Sequence, residues 1–157
     1  VPLSRSALLP LLLALGCGTK PTDSALRAGD SAGASSCDGP VDDVQSGLQV
    51  DCATSGCTLE VVSTSPAPPD RGNNTWQLQV RAADGTPAAL QDLTVAPFMP
   101  AHDHGTAPAE FEGTAEGTAW SVGPFDLFMP GRWELRTAFT RADGTEDTAV
   151  VAFCVEG

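Results

Sequence analysis

Two stretches of the chain alternate so regularly that they constrain what the rest must complete. In T-W-Q-L-Q-V-R-A (75–82) Trp76, Leu78 and Val80 alternate with Gln77, Gln79 and Arg81; in R-W-E-L-R-T-A-F (132–139) Trp133, Leu135 and Thr137 alternate with Glu134 and Arg136. A period of two puts one set on each face of a β-strand, so each stretch has one face in a core. No segment after residue 45 carries apolar residues at helical spacing. Further strands are expected over Thr58–Ser63, Leu93–Phe98, Thr118–Val122 and Thr148–Val155, with a marginal one near Glu110–Gly113. Thr148–Val155 has β-branched or aromatic residues on both faces, which predicts a strand inside a sheet. R-A-A-D-G-T and R-A-D-G-T place Asp84-Gly85 and Asp143-Gly144 where a tight reversal needs positive φ, and the second predicts a hairpin. Pro66, Pro68 and Pro69 end the strand before them. About seven short strands with frequent turns predict an all-β, antiparallel immunoglobulin-like sandwich over residues 45–157, with an open barrel as the alternative. Trp76, Trp120 and Trp133 are its expected core anchors.

Residues 1–44 read differently. V-P-L-S-R-S-A-L-L-P-L-L-L-A-L-G-C has one basic residue, Arg5, and then an apolar run from Ala7 to Gly16. That run is far short of the roughly 20 apolar residues of a membrane-spanning helix, so residues 1–16 read as a secretory signal. Gly16 followed by Cys17 is similar to a bacterial lipoprotein signal, in which the cysteine is lipidated and becomes the mature N-terminus. The expected location is the bacterial cell envelope, periplasmic or surface-facing, and Gly18 in place of an aspartate favours the outer membrane. Residues 17–44 are rich in Gly, Ser, Ala and Asp, the composition of a flexible linker. Membrane contact is expected through the lipid alone.

The chain has five cysteines, and lipidation of Cys17 leaves Cys37, Cys52, Cys57 and Cys154. Two disulfides account for all four in an oxidising compartment. Of the three pairings, the favoured one joins Cys52 to Cys57 in a local loop and Cys37 to Cys154 across the whole domain. The long-range bridge is worth about 4–5 kcal/mol on the chain-entropy model. The 20 acidic and 8 basic residues leave a net charge of −12, with the basic residues scattered. Nucleic acid and anionic membrane surfaces are therefore poor partners.

The chain's two histidines and two methionines are concentrated in two places. Met99, His102 and His104 fall within F-M-P-A-H-D-H-G (98–105), and Met129 lies in a second Phe-Met-Pro at 128–130. An extended backbone would turn His102 and His104 to the same side. Imidazole nitrogen with thioether sulfur selects copper, above all Cu(I), and rejects Mg and Ca. With the cysteines committed to disulfides, His and Met are the soft ligands that remain. Gly105, Thr106 and Pro108 mark the region as loop. Both Phe-Met-Pro motifs close an apolar strand before a reversal, so a sandwich that brings them together can assemble one site from Met99, His102, His104 and Met129. Pro100 and Pro130 stiffen the backbone beside each thioether. Against this, a methionine beside phenylalanine is ordinarily core filler. No nucleophile stands with a histidine and an acid, and no phosphate-binding glycine loop is present, so the expectation is that the chain is not an enzyme.

G-N-N-T-W-Q-L-Q-V, D-G-T-P, V-A-P-F-M-P-A-H-D-H-G-T and G-P-F-D-L-F-M-P-G-R-W-E-L, within about residues 57–155, together resemble the YtkA-like domain, which is related to FixH-like proteins. The most specific parts are M-P-x-H-x-H-G and the later M-P-G-x-W. The resemblance implies a small extracytoplasmic β-sandwich, often part of a lipoprotein. It puts Met99, His102, His104 and Met129 in the signature and makes Trp133 the packed tryptophan after it. FixH-like proteins are associated with copper handling during oxidase assembly, so the resemblance also implies a link to copper. The leading expectation is an envelope-anchored copper-binding module for capture, delivery or tolerance, with a copper ion and an envelope protein as partners. The alternative is a non-catalytic immunoglobulin-like interaction or structural module with no metal.

Overall fold

The structure, a computed structural model, describes residues 37–157. The expected signal segment 1–16, the expected lipidation site Cys17 and the expected linker as far as residue 36 lie outside the described residues. Within them the chain forms ten antiparallel strands: β1 (Leu48–Asp51), β2 (Thr58–Ser65), β3 (Gly72–Arg81), β4 (Leu90–Met99), β5 (His104–Gly105), β6 (Phe111–Glu112), β7 (Thr114–Glu116), β8 (Ala119–Leu127), β9 (Gly131–Arg141) and β10 (Glu146–Val155). One sheet has the order β1-β2-β3-β8-β7 and the other β10-β9-β4-β5, with β6 also paired to β4. Two separate sheets are the arrangement of a sandwich and not of the alternative, an open barrel. Ten strands exceed the seven or so expected because β1, β5 and β7 span only two to four residues each and carry little alternating apolar sequence.

The alternation works as the sequence implies. Trp76, Leu78 and Val80 on β3 and Trp133, Leu135 and Thr137 on β9 are all at most 1% exposed. The Trp76 ring lies 6.3 Å from Phe125 of β8 and 5.1 Å from Phe153 of β10, and the second contact joins one sheet to the other. Burial of such side chains contributes about 1.5–3 kcal/mol each. Trp120 departs from expectation: it is only partly buried at the margin of the core, where β8 meets the polar edge strand β7. The Asp143-Gly144 turn closes the β9–β10 hairpin, with Gly144 at a φ of 83° and Arg141 N–H donating to Thr145 O at 2.9 Å. Asp84-Gly85 forms a similar turn, with Gly85 at a φ of 82°, but the chain there leaves β3 for the opposite sheet.

β10 is the edge of its sheet, not an inner strand as its composition predicts. Ala149, Val151, Phe153 and Val155 face the core, whereas Val150 is 45% exposed. Segments from elsewhere occupy its outer hydrogen-bonding groups. Asp42 N–H donates to Ala152 O at 2.6 Å, Ala152 N–H donates to Asp42 Oδ2 at 2.9 Å, and Ala53 N–H donates to Thr148 O at 2.8 Å. Covering an edge in this way removes a template for pairing with other chains. Residues 37–44 therefore belong to the folded domain and not to the linker. The disulfides follow the favoured pairing, Cys37–Cys154 and Cys52–Cys57, with Cα–Cα distances of 5.7 and 5.3 Å. The first ties the arm at 37–42 to β10. Among the described residues no helix is long and apolar enough to cross a membrane.

Candidate metal centre

β4 delivers Met99 to the end of the sandwich. Leu93, Val95 and Met99 alternate inward along it, and Met99 is 1% exposed. The chain then reverses through Pro100–Asp103, with His102 N–H donating to Met99 O at 3.2 Å. Asp103 takes a φ of 51°, the left-handed region that aspartate tolerates in turns. The returning strand β5 pairs Met99 with His104 and Phe98 with Gly105. Gly105 is thus part of a strand and not of a loop, and it has to be glycine. A Cβ there would sit 2.6 Å from Pro97 O, so only a residue without one lets β5 lie this close to β4.

Directly opposed residues of an antiparallel pair project from the same face. Met99 projects into the core, so His104 projects inward with it. The His104 ring stacks on Phe128, with centroids 5.5 Å apart and an interplanar angle of 19°, and meets Trp133 edge-on at 6.5 Å. Trp133 in turn fixes the second motif, because its Nε1–H donates to Met129 O at 3.0 Å. Arg71 Nη2–H donates to Phe128 O at 3.3 Å. The turn at 128–130 therefore stands beside the hairpin at 100–103, and the two Phe-Met-Pro motifs meet. Met129 is partly buried against the core.

His102 is exposed, and its ring centroid lies 5.6 Å from that of His104. The reason differs from the one the sequence offers. The backbone between the two histidines is a turn with a left-handed aspartate, not an extended segment. A cleft of about 340 Å³ opens here, lined by Met99, Pro100, Ala101, His102 and Pro130 among others. The decisive atom is His104 Nδ1, which is buried and has no hydrogen-bond partner. Buried polar atoms nearly always find one, so an orphan next to a buried thioether asks what it is for. A soft cation is the species that imidazole and thioether would hold together.

A second convergence lies elsewhere in the fold. Cys52, Cys57 and Asp147 place ligand-type atoms within 4.8 Å of one another. The two sulfurs are already bonded to each other, and Asp147 is engaged as a hydrogen-bond acceptor. Thr54 N–H donates to it at 3.1 Å, Ser55 N–H at 2.8 Å and Thr148 N–H at 2.8 Å, and the Ser55 hydroxyl donates as well. Burial raises the Asp147 pKa, but hydrogen bonds from the Ser55 hydroxyl, Thr148, the Ser55 backbone and Thr54 outweigh it and hold the carboxyl at about 2. This carboxylate organises the Cys52–Cys57 loop. The donors on Thr54 and Ser55 are 93 and 92 residues away in sequence, which is why the sequence alone does not reveal its role.

Comparison of the chain with protein-family models, with curated proteins and with solved structures found no match.

Proposed function

We propose that the chain is an extracytoplasmic copper-binding module, built on a YtkA-like, immunoglobulin-like sandwich and attached to the bacterial envelope through Cys17. Met99, His102, His104 and Met129 are its ligands. The observation that carries this reading is the buried, unpartnered Nδ1 of His104, on the same face of the β4–β5 hairpin as the Met99 thioether. Two nitrogens and two thioethers favour Cu(I), which the site would hold without any cysteine thiolate. Phe128 and Trp133 support the His104 ring on two sides, so little side-chain freedom is lost when an ion is captured. His102, exposed at the cleft, is the ligand that first meets an arriving ion. The role is copper capture, delivery or tolerance.

Titrating the demetallated protein with Cu(I) against a competing chelator tests the reading. A single tightly held ion is expected, and its loss in the Met129→Ala/His104→Ala double variant. No binding, or binding unchanged in the double variant, removes the proposal. One observation favours a metal-free interaction module instead: Phe128 is 42% exposed at the same end of the sandwich, where it could meet an envelope protein. That reading requires a melting temperature indifferent to copper and a pull-down from solubilised envelope that does not depend on it.

A further inference from the structure

Alternation sends one set of side chains from β4, β9 and β10 into the core and leaves the other set on the outer face of their sheet. The register arranges that outer set in rows across the three strands. Ala96, Arg136 and Val150 form one row, Thr94, Ala138 and Thr148 the next, and Asp92, Thr140 and Glu146 the third. The middle row is built of small residues, and two hollows of about 450 and 320 Å³ share Ala138 and Thr148. Ala138 and Thr148 are exposed, and so is Val150, at 45%.

The rows on either side of the middle one differ in charge. At the first, the Arg136 guanidinium lies over the Phe98 ring, 3.7 Å from its centroid, and donates to Glu134 at 2.9 Å. Glu134 is shared, because Arg132 donates to its other oxygen at 2.8 Å, so two guanidiniums divide one carboxylate. Glu110 borders the same hollow and pairs with neither arginine. At the third row Asp92 and Glu146 are exposed, and neither has an ion pair among the described residues. Arg141, next after Thr140, is turned to the opposite face by alternation, and its Nε is buried.

We infer that this face docks a second copy of the chain in a two-fold dimer. Two copies that each carry a net charge of −12 repel in most orientations, so association favours a face that sets cation against carboxylate. When a face meets its own copy, the two-fold axis lies in the interface and every contact occurs twice. An axis along the strands would set Arg136 against Arg136. An axis across the strands at the level of Ala138 exchanges the first and third rows instead. Arg136 of each copy then lies between Asp92 and Glu146 of the other. The middle rows face each other, and their small side chains let the two sheets approach to the roughly 10 Å at which sheets pack.

Sedimentation equilibrium of the full chain over a range of concentrations tests the inference, with variants on exposed positions reading its geometry. The parent should form dimers. Ala138→Arg, Arg136→Glu and Asp92→Arg/Glu146→Arg each set like charges together at both symmetry-related contacts or at the centre, and each should weaken association by about tenfold or more. An equal mixture of Arg136→Glu with Asp92→Arg/Glu146→Arg should form a heterodimer within about threefold of the parent's affinity, because both contacts again join opposite charges. That rescue also shows that both variants are folded, which a merely destabilised chain would not give. A parent that stays monomeric overturns the inference, as does a dimer that survives Ala138→Arg. A mixture no more associated than its components overturns it too.

Discussion

At one end of β10, Cys52, Cys57 and Asp147 bring ligand-type atoms within 4.8 Å of one another; beside the other end, where Arg132 and Gly131 pair with Cys154 and Val155, His102, His104 and the two Phe-Met-Pro turns meet. Judged by proximity of ligand atoms, the first is the better metal site. Judged by what those atoms still lack, it is none, because a disulfide and several hydrogen bonds have used them. The second cluster is looser, yet it holds a buried ring nitrogen with nothing to bond. Trp76 Nε1, Thr137 Oγ1 and Arg141 Nε are buried without a partner as well, so what sets His104 apart is that its free nitrogen belongs to a residue paired with Met99 and lying near His102.

The largest expected effect breaks the structural end. Asp147→Ala leaves the donors of Thr54, Ser55 and Thr148 without their acceptor, so denaturant unfolding should show a loss of about 2–4 kcal/mol. Copper affinity should not change. A matching fall in affinity would couple the two ends and end the distinction between them. Next in size is stabilisation by the metal. Free Cu(I) at about 100 times its dissociation constant should raise the unfolding free energy by about 2.7 kcal/mol, in the parent and in Asp147→Ala alike. The same addition should do nothing for His104→Ala.

A smaller effect separates the two ends by pH. The Asp147 carboxyl titrates at about 2 in the folded chain against an ordinary 3.8, so the folded state favours its ionised form. That contribution is present in full above the unfolded value and is lost as pH falls from about 4 to about 2, amounting to about 1–2 kcal/mol. Urea titrations across this window should show the loss in the parent and not in Asp147→Ala. The same loss in the variant would assign the acid sensitivity to other carboxylates.

How much of this was legible in the sequence depends on the range of the signal. The long strands carry their own evidence: Trp76, Leu78 and Val80, or Trp133, Leu135 and Thr137, alternate within a few residues, and all six are buried. β5 does not, since two residues have no period, and the opposition of Met99 and His104 exists only once the turn at Pro100–Asp103 sets the register. β10 misled for a physical reason. Its apolar outer face reads as interior, but cover comes from Asp42 and from the Cys52–Cys57 loop, and neither resembles a strand. The ligand candidates were visible by scarcity, because only two histidines and two methionines exist to be clustered. The buried orphan on His104 was not visible, because it depends on Phe128 and Trp133 closing around a ring more than twenty positions away.

The smallest effect is the most discriminating, because its expected sign is unusual. Replacing a packed side chain usually destabilises, and Met99→Ala, which empties a site 1% exposed, would do so whether or not the sulfur binds metal. His104→Leu keeps an apolar surface against Phe128 and Trp133 and deletes the nitrogen that has no partner. An unsatisfied polar atom costs stability while it stays buried, so the metal-free variant should unfold at the same free energy as the parent or up to about 1 kcal/mol higher. Its copper-dependent stabilisation should vanish. Gain without metal and loss with it is the behaviour of a residue retained for binding at some expense to the fold. If the metal-free variant is instead weaker by more than about 1 kcal/mol, Nδ1 has a partner in solution and His104 is a structural residue, like Asp147 at the other end.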